Sequence, residues 1–278
     1  MMTTAAVVIT RPRAQAEALA PRIAALGLHP VIFPLLDIRP LDDISALQAA
    51  LRNLPSYAMV MFVSPNAIDA AFRHINRWPA TVAIGIVGAG SMAALARHGV
   101  DASNTRIFAP PSPEKTDSEG LFAALDKSAL QGRRVLIVRG QAGRDFFSEA
   151  LQQIGVQVDH VSAYRREAPV CDNAAIAQLR ELLDSNSVWI ITSSEALRNL
   201  MQMLERADRQ ITAHSTADST ADTATPTTPI GAVAKMQQKQ IIVPHPRIAA
   251  TARLAGFSHV TLTGSGDERL LAALQSET

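Results

Sequence analysis

Leu136-Ile137-Val138-Arg139 repeats, 128 residues further along the chain, the stretch Val8-Ile9-Thr10-Arg11. After each stretch an amphipathic segment runs to a glycine, Gly27 in the first copy and Gly155 in the second, and both arginine-to-glycine intervals are 16 residues. An apolar strand follows in each, Val31–Leu35 and Val156–Ala163. Strand, helix, glycine, strand is the reading of a β-α-β unit. A chain made of two such units most economically builds two lobes, and a cleft between lobes is the expected place for function.

The correspondence continues outward. Met61–Ile68 matches Ile190–Leu197 at offset 129, Val87–Gly99 matches Pro244–Gly256 at offset 157, and Thr116–Leu125 matches Ser265–Leu274 at offset 149. The jump from 129 to 157 places 28 extra residues in the second copy, and they coincide with an Ala/Thr/Ser/Asp/Pro-rich stretch at Ala207–Ala234. That composition buries little apolar surface, so a disordered loop is expected there. A period near 128 residues indicates duplicated domains and not a solenoid.

Short apolar runs at Ala6–Ile9, Met59–Val63, Val82–Val87, Val135–Val138, Val188–Ile191 and Gln240–Val243 predict strands. Helical spacing such as Leu19, Ile23, Leu26 lies between them. This alternation predicts an α/β protein with parallel sheets covered by helices on both faces. Ligands of such sheets bind beyond the strand carboxyl ends, where nearly all the distinctive polar residues here fall.

The chain's 278 residues suffice for two domains, and its net charge of +1 leaves no electrostatic footprint of a nucleic-acid binder. No apolar run approaches the ~20 residues of a membrane span. Met1–Thr10 lacks a basic segment ahead of an apolar one, so no secretory signal is expected. Cys171 is the single cysteine, which excludes an internal disulfide and fits a reducing cytoplasm. The seven histidines are scattered without ligand spacing, so no metal is expected. His245, in Pro244-His245-Pro246-Arg247, reads as a loop residue at a strand end.

The strand-to-helix junctions share one design. Ser64-Pro65 reads as an N-cap followed by proline at the first helical position. Thr192-x-x-Glu195, Thr116-x-x-Glu119 and Ser265-x-x-Glu268 match the capping box. Each alone is more simply a cap than a binding group. Together they would present an array of helix N-termini, whose N–H groups and positive dipole ends suit a ligand bearing many carboxylates or phosphates. Arg11, Arg13, Lys115, Arg139, Arg144 and Arg247 fall at the same ends and would add charge-assisted bonds. Gly88-Ala89-Gly90-Ser91-Met92-Ala93 imitates a dinucleotide fingerprint but follows the wrong strand, and no acid for a ribose follows. A tight turn that lets backbone approach a ligand is the better reading. Nucleophilic catalysis lacks support, since Cys171 has no basic neighbour and the serines no identifiable base. Tyr164, in Val161-Ser162-Ala163-Tyr164-Arg165-Arg166, is either a half-buried aromatic or a phenol that donates a hydrogen bond or proton to a ligand.

In their order and spacing, Ile9–Pro12, Phe62–Ala67, Val87-Gly88 with Ala93, Val138–Gly140, Tyr164–Arg166, Ile191–Ser194 and Gly256–Leu274 resemble the uroporphyrinogen-III synthase family. The resemblance implies two flavodoxin-like α/β domains related by duplication and joined by a two-stranded β connector, Asp37–Pro40 beside Arg165–Pro169. It implies one discontinuous domain, residues 1–37 and 167–278, and one inserted domain, residues 38–166. An unswapped pair of lobes fits the repeat itself equally well. The implied activity is that of a cytoplasmic, cofactor-free hydro-lyase of heme and siroheme biosynthesis. It closes hydroxymethylbilane, a linear tetrapyrrole with eight carboxylates, with inversion of ring D through a spiro intermediate. Tyr164 matches the family's cleft tyrosine and is expected to be catalytic, assisting loss of the hydroxyl. Ser64, Asn66, Gly88, Ser91, Thr116, Ser118, Arg139 and Gln141 are expected to bind substrate carboxylates from the inserted domain, and Arg11, Ser193, Ser194 and Arg247 from the other. The partner is a small molecule, with no nucleic acid and no membrane, and the chain is expected to be a monomer. Two rival readings are a non-catalytic two-lobed binding or sensor protein for a small anion, and a nucleotide-dependent oxidoreductase resting on Gly88–Ala93.

Overall fold

The computed structural model describes residues 5–111, 118–141, 146–217 and 230–277. The chain opens with β1 (Ala6–Ile9), α1 (Arg13–Ala24), β2 (His29–Ile32) and β3 (Asp37–Arg39). It continues through α2 (Ser45–Arg52), β4 (Met59–Phe62), α3 (Pro65–Phe72), β5 (Ala83–Ile86), α4 (Ala89–Arg97) and β6 (Ile107–Phe108). Then come α5 (Ser118–Ala124), α6 (Lys127–Leu130), β7 (Arg134–Gly140), α7 (Phe146–Gln153) and the long β8 (Gln157–Glu167). The last stretch holds α8 (Asn173–Asp184), β9 (Ser187–Ile190), α9 (Ser194–Ala217) and α10 (Ala232–Gln237). It ends with β10 (Gln240–Val243), α11 (Pro246–Leu254), β11 (His259–Leu262) and α12 (Asp267–Glu277).

Two compact units result: Met1–Asp37 with Ala168–Thr278, and Ile38–Glu167. The first carries a five-stranded sheet ordered β2-β1-β9-β10-β11, every adjacent pair parallel. The second carries a six-stranded sheet ordered β3-β8-β7-β4-β5-β6, parallel from β8 to β6. The pairing registers agree between sheets. Ala6 lies opposite His29 and Arg134 opposite Gln157, so both partners shift by the same 128 residues. Val7 lies opposite Val188 and Val135 opposite Met59, the 129-residue offset of the sequence. Gly27 and Gly155, which end the helices after β1 and β7, have φ of 78° and 79°, a left-handed conformation that costs glycine little.

Parallel strands need a crossover to return, and a helix supplies it, so each sheet is buried on both faces. Strand alternation sorts the core accordingly. In the first unit Val8, Trp189, Ile241 and Val243 pack with Leu179, Leu197, Leu200 and Ala249, while Val7, Ile9, Ile190 and Ile242 pack with Leu19, Ile23 and Leu270. In the second, Val60, Phe62, Ile84 and Val138 meet Leu47, Ile68 and Leu95, while Met59, Met61, Val135 and Ile137 meet Leu121, Phe147 and Leu151.

Three sequence expectations need correction. Residues 207–234 do not form one loop: α9 runs to Ala217, α10 begins at Ala232, and only 218–229 lie outside the described residues. The reason is that the apolar stripe Leu197, Leu200, Leu204, Ala207 stays buried to the edge of the polar composition, and Arg180 Nη2 donates to the Ala207 carbonyl at 2.9 Å. Across the gap, the Asp208 carboxylate accepts from the backbone N–H groups of Ala232 and Val233 at 2.5 and 3.2 Å, capping α10 from a distant position. The capping box expected at Thr192 is also displaced. Ser193, not Thr192, caps α9, while at α12 the Leu270 N–H donates to the Gly266 carbonyl. The third expected box begins at Thr116, outside the described residues. Finally, the strand expected at Val31–Leu35 starts at His29 and ends at Ile32; beyond it Phe33 and Leu35 still donate to the carbonyls of Ile9 and Thr10.

Asp208→Ala removes a charged acceptor from two helix-end amides. It is expected to cost about 1–2 kcal/mol of stability, read as a lowered urea midpoint, with little change in slope.

Candidate active site at the strand carboxyl ends

In the second unit the carboxyl ends of β8, β7, β4 and β5 lie in that order along the sheet. Pairing sets Phe62 of β4 opposite Val138 of β7, and Gly140 of β7 opposite Tyr164 of β8. The register slips by one residue at Arg139/Gly140: Ser162 faces Arg139, but Tyr164, not Ala163, faces Gly140. This bulge breaks the alternation, so the consecutive Ala163 and Tyr164 are both buried against one cluster. Bulges re-aim side chains in this way.

The Tyr164 ring, only 4% exposed, lies across β7 over Gly140. A methyl group on Gly140 would stand 3.0 Å from Cζ, 3.1 Å from Cε2 and 3.3 Å from the phenol oxygen. No side chain intervenes there, so the hydroxyl reaches the loop after β4 and lies 3.1 Å from Ser64 Oγ. Ser64 caps α3: its Oγ accepts the Ala67 N–H at 3.2 Å, with Pro65 opening the helix. One hydroxyl thus serves a helix end and a buried phenol from a residue 100 positions away. The Gln141 N–H donates to the Tyr164 carbonyl at 3.0 Å and fixes the backbone behind the ring.

The other expected residues of this unit spread along the same end. Asn66 is in the first turn of α3. Gly88 stands at the N-cap of α4 with an extended backbone open to any residue, nothing lies within 4 Å of where its Cβ would be, and its carbonyl accepts the Ser91 N–H at 3.0 Å as the chain turns into the helix. Ser91 is buried in α4. Arg139 is on β7 and Gln141 immediately follows it. Ser118 opens α5, while Thr116, Lys115 and Arg144 lie outside the described residues.

The first unit repeats the pattern with different chemistry. Thr10, after β1, is buried and donates its hydroxyl to the Ile190 carbonyl at 2.7 Å. Arg11 follows with its side chain 15% exposed, and its Nη1 lies 2.6 Å from Asp267 Oδ1 at the start of α12. Arg22 also faces that helix start, with Nη2 2.5 Å from Glu268 Oε1. Ser193 caps α9, accepting the Ala196 N–H at 3.0 Å, and Ser194 is the first residue of that helix. His245 is more than a loop residue: its Nδ1 accepts the Arg247 N–H at 3.2 Å and caps α11, leaving the Arg247 side chain exposed.

Sequence reasoning did not single out two positions that organise these ends. Asp267 engages the guanidinium expected to meet a ligand. Gly140 makes room for the tyrosine, and a glycine closing an apolar strand is the signal that marks close approach. The second tyrosine, Tyr57, sits at the opposite end, before β4, with its hydroxyl donating to Asp159 Oδ2 at 2.9 Å and Arg134 stacked 4.7 Å over its ring. Among the described residues, no group of three or more His, Cys, Asp or Glu could hold a metal ion, and no helix is long and apolar enough to cross a membrane.

Two parallel sheets sandwiched by helices, with hydroxyl-capped helix starts gathered at the strand carboxyl ends, define an α/β protein of the kind that binds ligands at such ends. A family model described as uroporphyrinogen-III synthase HemD matches residues 17–264, and the chain belongs to the uroporphyrinogen-III synthase family, a family of enzymes. The chain is 30% identical to the uroporphyrinogen-III synthase of Salmonella typhimurium over 201 residues, 71% of this chain and 79% of the relative. With the synthase of Chlorobaculum parvum it is 24% identical over 86% of this chain and 92% of the relative. The crystal structure of uroporphyrinogen-III synthetase from Helicobacter pylori shares the fold, with a TM-score of 0.57 at 11% identity over 99% of this chain and 100% of that one.

Burial foremost, then the hydrogen bond to Asp159 and that carboxylate's charge, push the Tyr57 phenol above its ordinary value, with partial relief from Arg134. The unfolded phenol then loses its proton at lower pH than the folded one. Stability is therefore lost as pH rises from the ordinary tyrosine range towards the folded value. Tyr57→Phe is expected to flatten this loss, compared by urea midpoints between about pH 9 and 11.

Proposed function

We propose that this chain closes hydroxymethylbilane to uroporphyrinogen III in heme and siroheme biosynthesis, with the phenol of Tyr164 as its catalytic group. The observation that carries the proposal is the Tyr164–Ser64 pair, a buried tyrosine hydroxyl 3.1 Å from a helix-capping serine at a strand carboxyl end. Ser64 Oγ already accepts from the Ala67 N–H, so its own proton is available for the phenol oxygen. The phenol proton is then left to donate to the departing hydroxyl of the substrate, a task that asks for a hydrogen-bond donor and not a strong acid. Loss of water leaves an electrophilic terminal carbon. Ring D attacks through its substituted position, and the spiro intermediate fragments and recloses with ring D inverted.

The linear substrate closes without help to the uninverted isomer, so the enzyme must favour the spiro route through positioning. Helix N-termini and hydroxyl caps suit that demand because they hold carboxylates without locking them into deep salt bridges. We assign carboxylate binding to Ser64, Asn66, Gly88, Ser91, Thr116, Ser118, Arg139 and Gln141, and to Arg11, Ser193, Ser194 and Arg247. Arg11 takes part with the guanidinium donors that Asp267 leaves over.

The division into domains 1–37 with 167–278 and 38–166 belongs to the same proposal, as does the reading of each as a flavodoxin-like unit. The order β2-β1-β9-β10-β11 is the 2-1-3-4-5 order of that fold, and β8-β7-β4-β5-β6 is the same order with its last three strands supplied first. The equal registers support duplication, with β1 and β2 contributed to the sheet that β9–β11 complete. β3 beside β8 supplies the two-stranded connector. A cytoplasmic monomer acting without a cofactor completes the proposal.

Hydroxymethylbilane incubated with the purified chain, followed by isomer analysis of the oxidised product, tests the activity: isomer III is expected, and isomer I alone would refute it. Tyr164→Phe is expected to lower kcat by about tenfold to a hundredfold with the fold intact, since a positioned proton donor contributes on that scale. Arg139→Gln should raise KM by roughly tenfold, the loss of one charge-assisted bond, and an unaltered KM removes it from the binding set.

A further inference from the structure

We infer that Gly140, together with the bulge at Ala163–Tyr164, is a positioning element that sets where the catalytic phenol sits; this rests on the role proposed for Tyr164. Three observations lead to it. Gly140 is not among the residues with positive φ, so its backbone accepts any L-residue and conformation alone does not require glycine. The space above its Cα is occupied by the Tyr164 ring, with Cζ 3.0 Å and Cε2 3.1 Å from the site of a β-carbon. Such separations are closer than real Cβ contacts normally run, so any side chain at 140 makes the ring retreat.

The direction of retreat is constrained. The ring is buried between the strand and α3, packed in the cluster that holds Ala67, Ile68 and Val138. Its hydroxyl is anchored at Ser64 Oγ. Retreat from β7 presses the ring on α3 and moves the phenol oxygen relative to the Ser64 cap, disturbing the 3.1 Å contact. The bulge is the other half of the device. Without the slip at Arg139/Gly140, Ala163 would face Gly140, and strand alternation would turn Tyr164 to the opposite face of the sheet. One inserted residue on β8 turns the tyrosine to this face, and one absent side chain on β7 lets it cross. Gly140 touches neither substrate nor proton; it acts through Tyr164.

Because the chain has only two tyrosines, the ring can be watched directly. Protein labelled with 13Cζ-tyrosine gives two signals, which Tyr57→Phe assigns. Gly140→Ala, which adds one methyl to an extended strand, is expected to shift the Tyr164 signal and leave that of Tyr57 in place. It should lower kcat by about tenfold with KM nearly unchanged, as misplacement by a few tenths of an ångström to one ångström costs up to a hundredfold. Gly140→Val, a better strand former with more bulk over the ring, should approach the loss seen in Tyr164→Phe. In the Tyr164→Phe background Gly140→Ala should cost little more, because the hydroxyl it displaces is already gone. Ser64→Ala, on a different element, should reproduce part of the loss without moving Tyr57.

An unmoved Tyr164 signal in Gly140→Ala, or a displaced signal with unchanged kcat, overturns the positioning role. Additive losses in the double variant overturn it as well, since they place the effect of Gly140 elsewhere. If Tyr164→Phe alone retains full activity, the phenol's catalytic role fails. The tyrosine signals still decide separately whether Gly140 seats the ring. Thermal unfolding of each variant separates loss of fold, which would broaden both signals, from displacement of one.

Discussion

Parallel strand pairing is the constraint on which the rest of this molecule depends. A parallel neighbour cannot be reached by a tight turn, so each strand must be followed by a crossover that returns the chain to the starting end. The carboxyl ends of the parallel strands in a sheet then point the same way, and the helices that follow them begin there. The caps at Ser64 and Gly88 in one unit, and at Ser193 and His245 in the other, are consequences of this geometry. Ser64, Ser193 and His245 each accept one of the helix-start N–H groups that have no intrahelical partner.

Within that frame the second unit makes a particular use of one end. Strands β8, β7 and β4 are consecutive neighbours, so residues far apart in the chain meet across about two strand spacings, near 10 Å. A tyrosine is long enough to cover that span only if the middle strand presents nothing above its backbone. Gly140 meets the condition, and the ring that covers it is held by packing on one side and a cap hydroxyl on the other. The first unit solves its corresponding end with ions: Arg11 meets Asp267, and Arg22 meets Glu268. A partly buried guanidinium held by a carboxylate is a poorer free anion binder than the sequence suggests, because a ligand must share its donors with Asp267.

Much of the fold was legible because its signals are local. Ala6–Ile9 and Gln240–Val243 were bounded as found, since Ala6–Ile9 and Ile241–Val243 are apolar and buried on both faces. Ser64-Pro65 announced the start of α3 through a hydroxyl cap and a ring suited to the first helical position. Other boundaries moved by one residue where two candidates stand side by side. Thr192 and Ser193 both carry hydroxyls, and only the helix path selects Ser193. The polar composition after Ala207 masked the end of α9, because the stripe that keeps a helix packed needs just one residue in three or four to be apolar. The site was legible in type but not in partnership. Arg11 and Tyr164 stood out as unusual residues at strand ends, yet nothing in their neighbourhoods announces Asp267, 256 positions away, or Gly140 beneath the ring.

By itself, then, the sequence determined the alternation of strand and helix, the repeat that relates residues 128 positions apart, and membership of a family whose matching segments keep their order. Those properties are written in periodicity, caps and spacing, which act within a turn or a strand. Tertiary structure alone decided which strands are neighbours, that β1 lies between β9 and the edge strand β2, and that the register slips at Gly140. It also decided that the tyrosine crosses one strand to meet Ser64. Those outcomes arise between segments with no covalent memory of one another, where packing of a shared core sets the distance.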